Sequence, residues 1–441
     1  MKVVIVGGVA GGMTTASQLR RLDEDIEIHV YEKGPNISFA NCGLPYYLSR
    51  EVTKREHLIE RTPEDMLKRD IVAHTLSEVI SVNTEEKFIT VSDRQTGQTE
   101  NVSYDKLVLS PGATSRMLEP LKNVKQAFVL QHLHHLDAIE DYIARHNTKE
   151  VVIIGGGYIG LEVVENFTKR GFKVTMLQHT DEIYGALESD MKDFMYEALE
   201  ENNVELKLNA EITKVNGDTA TLATGEEIYA PLIIVSVGII PSTEFLKDSN
   251  VQLEKGYIPI NEYGETNVKD VYALGDAVLT HYMHRPDIKV NIALAWPAHR
   301  LAYIIAQHIN GNKEFKHDGL LGASVIQLFD YTIAQVGLSL KDLRDPYLTI
   351  DHTQASIARY LKNPEEITAR VYADKNHQIL RGVFVGKNGV DKRLDVLSTF
   401  MRADGNIKNL INIEVGYAPP YSSPKDLLNM IGYKAIGALE D

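Results

Sequence analysis

The chain has 441 residues, of which 46 are Lys or Arg and 61 Asp or Glu, a formal net charge of −15. That balance gives no global electrostatic support to a nucleic-acid surface or an anionic membrane face, so an anionic ligand must be held by local geometry. At 44% hydrophobic and 24% charged residues the chain is globular and long enough for two or three domains with real cores, and its one cysteine excludes an intramolecular disulfide framework.

The opening stretch MKVVIVGGVAGG resembles a secretory leader only superficially. Its apolar run is short, breaks at glycines and has no small-residue cleavage site behind it. No later run approaches the roughly 20 apolar residues of a membrane span. A reducing cytoplasm is the expected compartment.

The first predicted unit is KVVIVGGVAGGMTTASQLRRLDEDIEIHVYEK, residues 2 to 33. It reads as a β-branched strand, a glycine turn, an amphipathic helix and a second strand. Gly7 makes the tight turn and Gly12 lets the helix pack on the strand, while the helix N-terminus offers amides to a pyrophosphate. Glu32 closes the second strand where an acid would bind a ribose hydroxyl. Val9 stands where the middle glycine of the usual pattern would be, so by itself this loop also fits a plain strand-to-helix turn. Val9, Ala10, Gly11 and Lys33 complete the candidate dinucleotide contacts.

Next comes SFANCGLPYY, residues 38 to 47, with Cys42. Gly43 and Pro45 suit the first turn of a helix through YYLSR, whose dipole would lower the thiol pKa. An inert core thiol is the alternative. YDKLVLSPGATS, residues 104 to 115, reads as a buried strand and a glycine turn at Gly112. The histidines of HLHH (132 to 135) and HYMH (281 to 284) look metal-like but lack cysteines or a second cluster at ligand spacing, so no metal is expected.

A second βαβ unit, EVVIIGGGYIGLEVVENFTKRGFKVTMLQHT (150 to 180), has the full glycine pattern at Gly155, Gly157 and Gly160, with Tyr158, Ile159 and Glu162 around it. Gln178 stands where a ribose-binding acid would be. A 2′-phosphate is then not repelled, and His179 offers it a partial charge, which favours NADPH; either nicotinamide cofactor fits if Gln178 only ends a strand. APLIIVSVGIIPST (230 to 243) repeats the strand-and-glycine form at Gly238. TNVKDVYALGDAV (266 to 278) runs a strand into Gly275 and Asp276, an acid placed for the ribityl hydroxyls of FAD or, more blandly, a solvated turn residue. A helix through NIALAWPAHRLAYIIAQHI (291 to 309) has Pro297 near its start and Ala295 ahead of it, and aims its positive end at a flavin. Two dinucleotide folds in tandem suggest one bound flavin and one visiting nicotinamide.

The order of GGVAGG with Glu32, SFANCGLPY, SPGAT, GGGYIGLE, GDA and the late YAPPYSSPKDLLNMIGY (417 to 433) resembles the pyridine nucleotide-disulfide oxidoreductases over essentially the whole chain. Within them it is similar to the single-cysteine branch, the coenzyme A disulfide reductases. The resemblance implies an α/β fold with two Rossmann-like domains: a discontinuous FAD-binding domain at 1–112 and 242–320, an NAD(P)-binding domain at 113–241, and a C-terminal α+β dimerisation domain at 321–441. Relatives with two cysteines store electrons in a C-x4-C pair, but here Tyr47 holds the second position, so Cys42 must take its oxidised partner from outside.

Two such partners are chemically reasonable, an oxygen giving a sulfenic acid or a small thiol giving a mixed disulfide. The oxygen route resembles NADH peroxidase and NADH oxidase, which carry a histidine where this chain has Ala10. The thiol route implies CoA contacts at Thr14, Gln18 and Arg21 on the first helix, Ser38 and Asn41 beside the thiol, His299 and Lys425. Asp70 stands where a basic residue is often found, so one phosphate contact is expected to be lost or to pass to Arg69. The resemblance further implies electrons passing from NADPH through FAD to a Cys42–S–S–CoA disulfide, with Tyr360 and Tyr417 of the other subunit of a homodimer as proton donors. Polysulfide reduction is less expected, because little sequence follows MIGYKAIGALED for the rhodanese domain that some relatives append. A flavin-bearing redox sensor without turnover is a further alternative, disfavoured by the complete second nucleotide unit.

Overall fold

The computed structural model describes residues 1–344 and 346–440. Three sheets organise them. In the first, Lys106–Leu109, Lys2–Val6, Glu27–Tyr31 and Ile71–His74 run parallel in that order, with Val271–Ala273 outside Lys106–Leu109. Val3, Val4 and Ile5 are fully buried, as a parallel strand covered on both faces requires. The register pairs Val6 with both Tyr31 and Leu109, and Leu109 with Ala273. Four strands thus end at one level, and the residues that follow them open on a single edge, where open α/β sheets bind ligands.

The second sheet repeats the arrangement. Its order is Glu205–Lys207, Lys173–Leu177, Glu150–Ile154, Ile233–Val235, Ala127–Phe128, and Ile154 faces both Leu177 and Val235. Helices Ala10–Leu22 and Tyr158–Lys169 occupy equivalent crossovers. The duplication extends to a feature the sequence reading passed over. A three-stranded antiparallel sheet precedes the fourth strand of each unit, at Ser77–Asn83, Phe88–Asp93 and Thr99–Ser103 in one and at Ile212–Asn216, Thr219–Leu222 and Glu227–Tyr229 in the other.

The third sheet is antiparallel, ordered Ser324–Leu328, Tyr331–Gly337, Ile379–Gly386, Glu366–Ala373, Leu348–Ala355. Its central strand Ile379–Gly386 is buried at every position. Alternation, offset by a bulge between Ile379 and Arg381, divides that burial between two cores: Ile379 and Phe384 pack with helices Val390–Arg402 and Leu427–Glu440, while Val383 and Val385 face the other way. The cluster they join there contains Phe39, Leu44 and Leu48 around Cys42, and Leu161 and Val164 of the second glycine-loop helix. The cysteine segment therefore sits where all three parts of the chain meet. Arg381 fixes this junction, donating Nε to Glu188 at 3.0 Å and Nη2 to the Ala186 carbonyl at 2.6 Å from a fully buried position. No helix among the described residues is long and apolar enough to cross a membrane.

Candidate active site

The residues after the four strand ends of the first sheet build a cradle. Gly7 has φ +95°, and a Cβ there would lie 2.0 Å from the Ser110 carbonyl oxygen, so only glycine permits this approach. A Cβ on Gly12 would lie 1.9 Å from the Gly7 oxygen, and one on Gly11 2.8 Å from Ser110 Oγ. No side chain caps the helix that begins at Ala10 after Val9, which leaves its first amides to a ligand. Glu32 accepts from the Gly8 amide at 2.8 Å and the Gly34 amide at 2.7 Å, so its carboxylate closes the loop beside the half-buried Lys33.

Across the cradle, Gly112 (φ +66°) and Gly275 (φ +81°) turn the chain away, and Asn291 Nδ2 holds the carbonyls of Asp276 and Val278 at 2.9 and 2.8 Å. The Asp276 carboxyl has no hydrogen-bond partner here, and burial raises its pKa. A half-buried acid without a donor among the described residues, an uncapped helix start and a surface that no Cβ could enter fit a dinucleotide with a polyol, and FAD is the group this cradle would hold. Ala295 begins the 15-residue helix through Ile309, with Pro297 in its first turn as expected.

Cys42 lies within a 3-10 turn, Asn41–Gly43, followed by a helix of only five residues, Leu44–Leu48. The segment is tied to the cradle by the Ser38 amide, which donates to the Gly8 carbonyl at 2.9 Å, and to the second unit by Asn41 Nδ2 donating to the Gln131 carbonyl at 3.1 Å. A Cβ on Gly43 would meet Leu58 Cδ2 at 2.4 Å, which explains the glycine beside the thiol. The sulfur is exposed. Its pKa is raised, first by desolvation and then by the carboxylates of Glu162 and Asp276, and a backbone hydrogen bond opposes this only in part. The lowering expected from a helix dipole is therefore not found: the helix is too short, and two acids face the sulfur. Glu162 is itself pushed up, by burial and then by Glu165.

The second glycine loop mirrors the first. Gly155 has φ +108° with a virtual Cβ 2.3 Å from the Ser236 oxygen, and one on Gly160 would lie 1.8 Å from the Gly155 oxygen. At Gly157 a Cβ would meet nothing within 4 Å, and the helix start at Tyr158 is uncapped. Gln178 Oε1 accepts from the Gly156 amide at 3.0 Å, the part Glu32 plays in the first unit, and its Nε2 donates to Thr180 Oγ1 at 2.6 Å. His179 and Ile159 are exposed at the rim, and Gly238 has φ +99°. Tyr158 is drawn toward the third sheet, its hydroxyl 3.2 Å from Ser324 Oγ and bonded to Gln335.

The candidate substrate residues fall into groups. Thr14 Oγ1 lies 2.8 Å from His299 Nδ1, which joins the first helix to the helix Ala295–Ile309, and Gln18 and the exposed Arg21 continue the same helix. Asp70 has φ +54°, and Arg20 rather than Arg21 binds this turn, donating to the carbonyls of Arg69 and Asp70 at 3.0 and 2.7 Å. Lys425 stands apart on the third body, its ammonium 5.0 Å from the Tyr433 ring centroid. Tyr360 and Tyr417 come together: the Ala358 amide donates to the Pro419 carbonyl at 2.9 Å, and a hydrogen bond to Tyr360 raises the Tyr417 pKa. Both side chains are solvent-facing, 75% and 48% exposed.

Sequence reasoning missed two things here. Ser110 and Ser236 supply the carbonyls that exclude side chains from both loops, and the signal was the shared Ser-x-Gly after each strand. The histidines of HLHH are the second: His132 packs against Phe39 of the cysteine segment, and the His134 and His135 rings lie 4.2 Å apart. The His132 amide donates to His135 Nδ1 at 3.3 Å, a bond available only to the unprotonated ring. Burial lowers His132 to about 4 and His135 to about 3. Both folded values lie below the ordinary 6.5, so the unfolded chain binds more protons between them and acid destabilises the fold. Stability is expected to fall as pH drops from 6.5 to 4, by roughly 3 kcal/mol from His132 alone. Urea titrations across that range check this, and a His132→Gln, His135→Gln variant should show a flatter pH profile. No group of three metal-ligating side chains is found among the described residues.

Comparison with known proteins agrees with this geometry. Residues 1–301 match the family described as pyridine nucleotide-disulphide oxidoreductase. The coenzyme A disulfide reductase of Staphylococcus aureus is 42% identical over 438 residues, 98% of this chain and 99% of that protein. The crystal structure of reduced Bacillus anthracis CoADR-RHD superposes with a TM-score of 0.96 at 36% identity, covering all of this chain and 80% of that one. The NAD-dependent persulfide reductase of A. fulgidus has a TM-score of 0.94 at 26% identity, covering all of this chain and 84% of that one. The chain is an oxidoreductase that belongs to the pyridine nucleotide-disulphide oxidoreductase family, in the branch that holds the coenzyme A disulfide reductases.

Proposed function

We propose that the protein reduces coenzyme A disulfide to two CoA thiols with NADPH, through a Cys42–S–S–CoA intermediate. The observation that carries this reading is the setting of Cys42: a single exposed sulfur at the meeting point of two dinucleotide cradles, with Tyr47 where a second cysteine would close an internal disulfide. The similarity to reductases named for coenzyme A disulfide supports the choice of a thiol over an oxygen as its oxidised partner. FAD, held by the first glycine loop, Glu32 and Asp276, would accept hydride from a nicotinamide and supply an electron pair to a disulfide.

The chain's own residues do the rest. The Cys42 thiolate attacks one sulfur of CoA disulfide, forming the mixed disulfide and expelling one CoA thiolate. Two electrons and one proton then cleave that bond, releasing the second CoA as its thiol and restoring the Cys42 thiolate. Because the thiol pKa is raised, the attacking form becomes more abundant as pH rises. Glu162, whose own pKa burial raises, opposes formation of the thiolate while it is ionised. Gly155 to Gly160 receive the nicotinamide dinucleotide, with Gln178 and the exposed His179 in place of a ribose-binding acid, which favours NADPH over NADH. Thr14, Gln18, Arg21, Ser38, Asn41 and His299 line the approach to the sulfur, and Lys425 contributes from the C-terminal body.

The exposed, neighbouring Tyr360 and Tyr417 act on the Cys42 site of a partner subunit as proton donors to departing thiolates, which makes the enzyme a homodimer. Tyr417→Phe is expected to lower kcat about 100-fold, the usual scale of general-acid assistance. Heterodimers mixed from inactive Cys42→Ser and impaired Tyr417→Phe subunits should regain activity, since one of the two sites then has both groups intact. Activity no higher than that of the parent variants would refute the arrangement. Sustained NADPH loss in stopped flow with CoA disulfide, and not with peroxide or oxygen, tests the reaction itself.

A further inference from the structure

The helix Val390–Arg402 begins beside a pocket of about 370 Å³ that no role above uses. It lies between the loop leading to Tyr360 and the loop following Tyr417, lined in part by Ser356, Asn388, Gly389, Lys392 and Tyr421. Gly389 takes φ +71° and no side chain caps the 13-residue helix after it, so the first helical amides lack protein partners at its positive end. Ser356 is 2% exposed, lines the pocket, and has a hydroxyl with no hydrogen-bond partner. A buried hydroxyl left unpaired points to a ligand that satisfies it.

Lys392 donates to the Tyr421 carbonyl at 2.6 Å, which leaves two of its three protons for another acceptor. Arg393 braces the entrance from behind. Its Nη1 donates to the Gly389 carbonyl at 2.8 Å, its charge is paired with Asp426 at 2.8 Å, and a Cβ on Gly389 would meet Nη1 at 2.6 Å. The one acid of the first helical turn, Asp391, is exposed and outside the lining, and Asp426 is outside it too, although both act electrostatically on the Lys392 ammonium.

The lining offers an ammonium, a hydroxyl, a side-chain amide and a helix N-terminus and includes no carboxylate, the donor set of a tetrahedral oxyanion. We propose that this pocket binds a phosphate group. Inorganic phosphate and a phosphate of CoA disulfide present the same chemistry, and the second source rests on the reaction proposed above.

The test uses the intact holoprotein titrated with inorganic phosphate at constant ionic strength, with chloride as the control, reading the melting temperature. Wild type is expected to show a saturable rise. Lys392→Gln should weaken the apparent Kd at least tenfold and Ser356→Ala severalfold, with the chloride traces unchanged. No saturable rise in wild type, or one undiminished in both variants, overturns the proposal. Kinetics then assign the source. If Lys392→Gln also raises KM for CoA disulfide with kcat unchanged, the pocket takes a substrate phosphate; if KM is unaffected while phosphate binding is lost, it takes the free ion. The phosphate titration decides the site even if CoA disulfide proves not to be the substrate.

Discussion

Cys42→Ser is expected to abolish reduction of CoA disulfide, by at least about a thousandfold in kcat, while leaving a folded yellow protein. A hydroxyl cannot form or exchange a disulfide, and no second cysteine exists in the chain to take over. The fold should barely notice. The Cys42 side chain is exposed, and the packing around it rests on Phe39, Leu44, Leu48 and Leu58 instead. The cradle proposed to hold FAD, formed by the Gly7 to Gly12 loop, Glu32 and Asp276, is not touched by the substitution. Reduction by NADPH in a single turnover should therefore survive in the variant, and steady-state turnover of the disulfide should not. Retained steady-state turnover would mean that the sulfur is a bystander.

The second large effect is expected at Gly157. Its φ of −88° and ψ of −170° are ordinary extended backbone, and a methyl there meets no atom within 4 Å. Gly157→Ala should thus leave the melting temperature within about 2 °C of wild type. The same methyl would stand over the uncapped start of the helix Tyr158–Lys169, where a pyrophosphate must approach the amides. KM for NADPH is expected to rise about a hundredfold, equivalent to roughly 3 kcal/mol of lost contacts. Chemical reduction by dithionite should be unaffected. Gly160→Ala provides the contrast, because its Cβ would fall 1.8 Å from the Gly155 carbonyl oxygen and the helix must shift. That variant should lose stability as well as binding, whereas equal behaviour of the two would contradict the assignment of Gly157 to the ligand.

Both glycine units were legible because their signal is local. A β-branched run, a glycine turn and an amphipathic helix lie within about thirty residues, and strand and helix formed where the periodicity changes. The Ser-x-Gly turns after Leu109 and Val235 were visible as repeats, but their purpose was not. That the Ser110 and Ser236 carbonyls crowd Gly7 and Gly155 depends on strand pairings across more than 80 residues. The electrostatics of Cys42 were misread for the same reason. The sequence offers Gly43 and Pro45 as a helix start next to the sulfur, while Glu162 and Asp276 arrive from two other parts of the chain and outweigh it.

The buried charges lie further still from any local pattern. Arg381 reaches Glu188 across 193 residues, and Arg393 meets Asp426 between two helices of the C-terminal body. Nothing in either neighbourhood announces an internal ion pair, since a lone arginine in a helix or strand ordinarily faces solvent. The histidines of HLHH illustrate the opposite error, a conspicuous cluster whose role is to pack and cap the start of a helix. Tyr360 and Tyr417 were paired only through family resemblance, and their contact depends on two loops meeting at Ala358 and Pro419.

The most direct test of the account is the intact mass of the protein as purified without reductant, followed by peptide mapping of the Cys42 segment. One CoA joined to Cys42 through a disulfide, and released by dithiothreitol, is the predicted result. A single added oxygen on that sulfur, or an unmodified thiol that CoA disulfide cannot convert to the adduct, would contradict it.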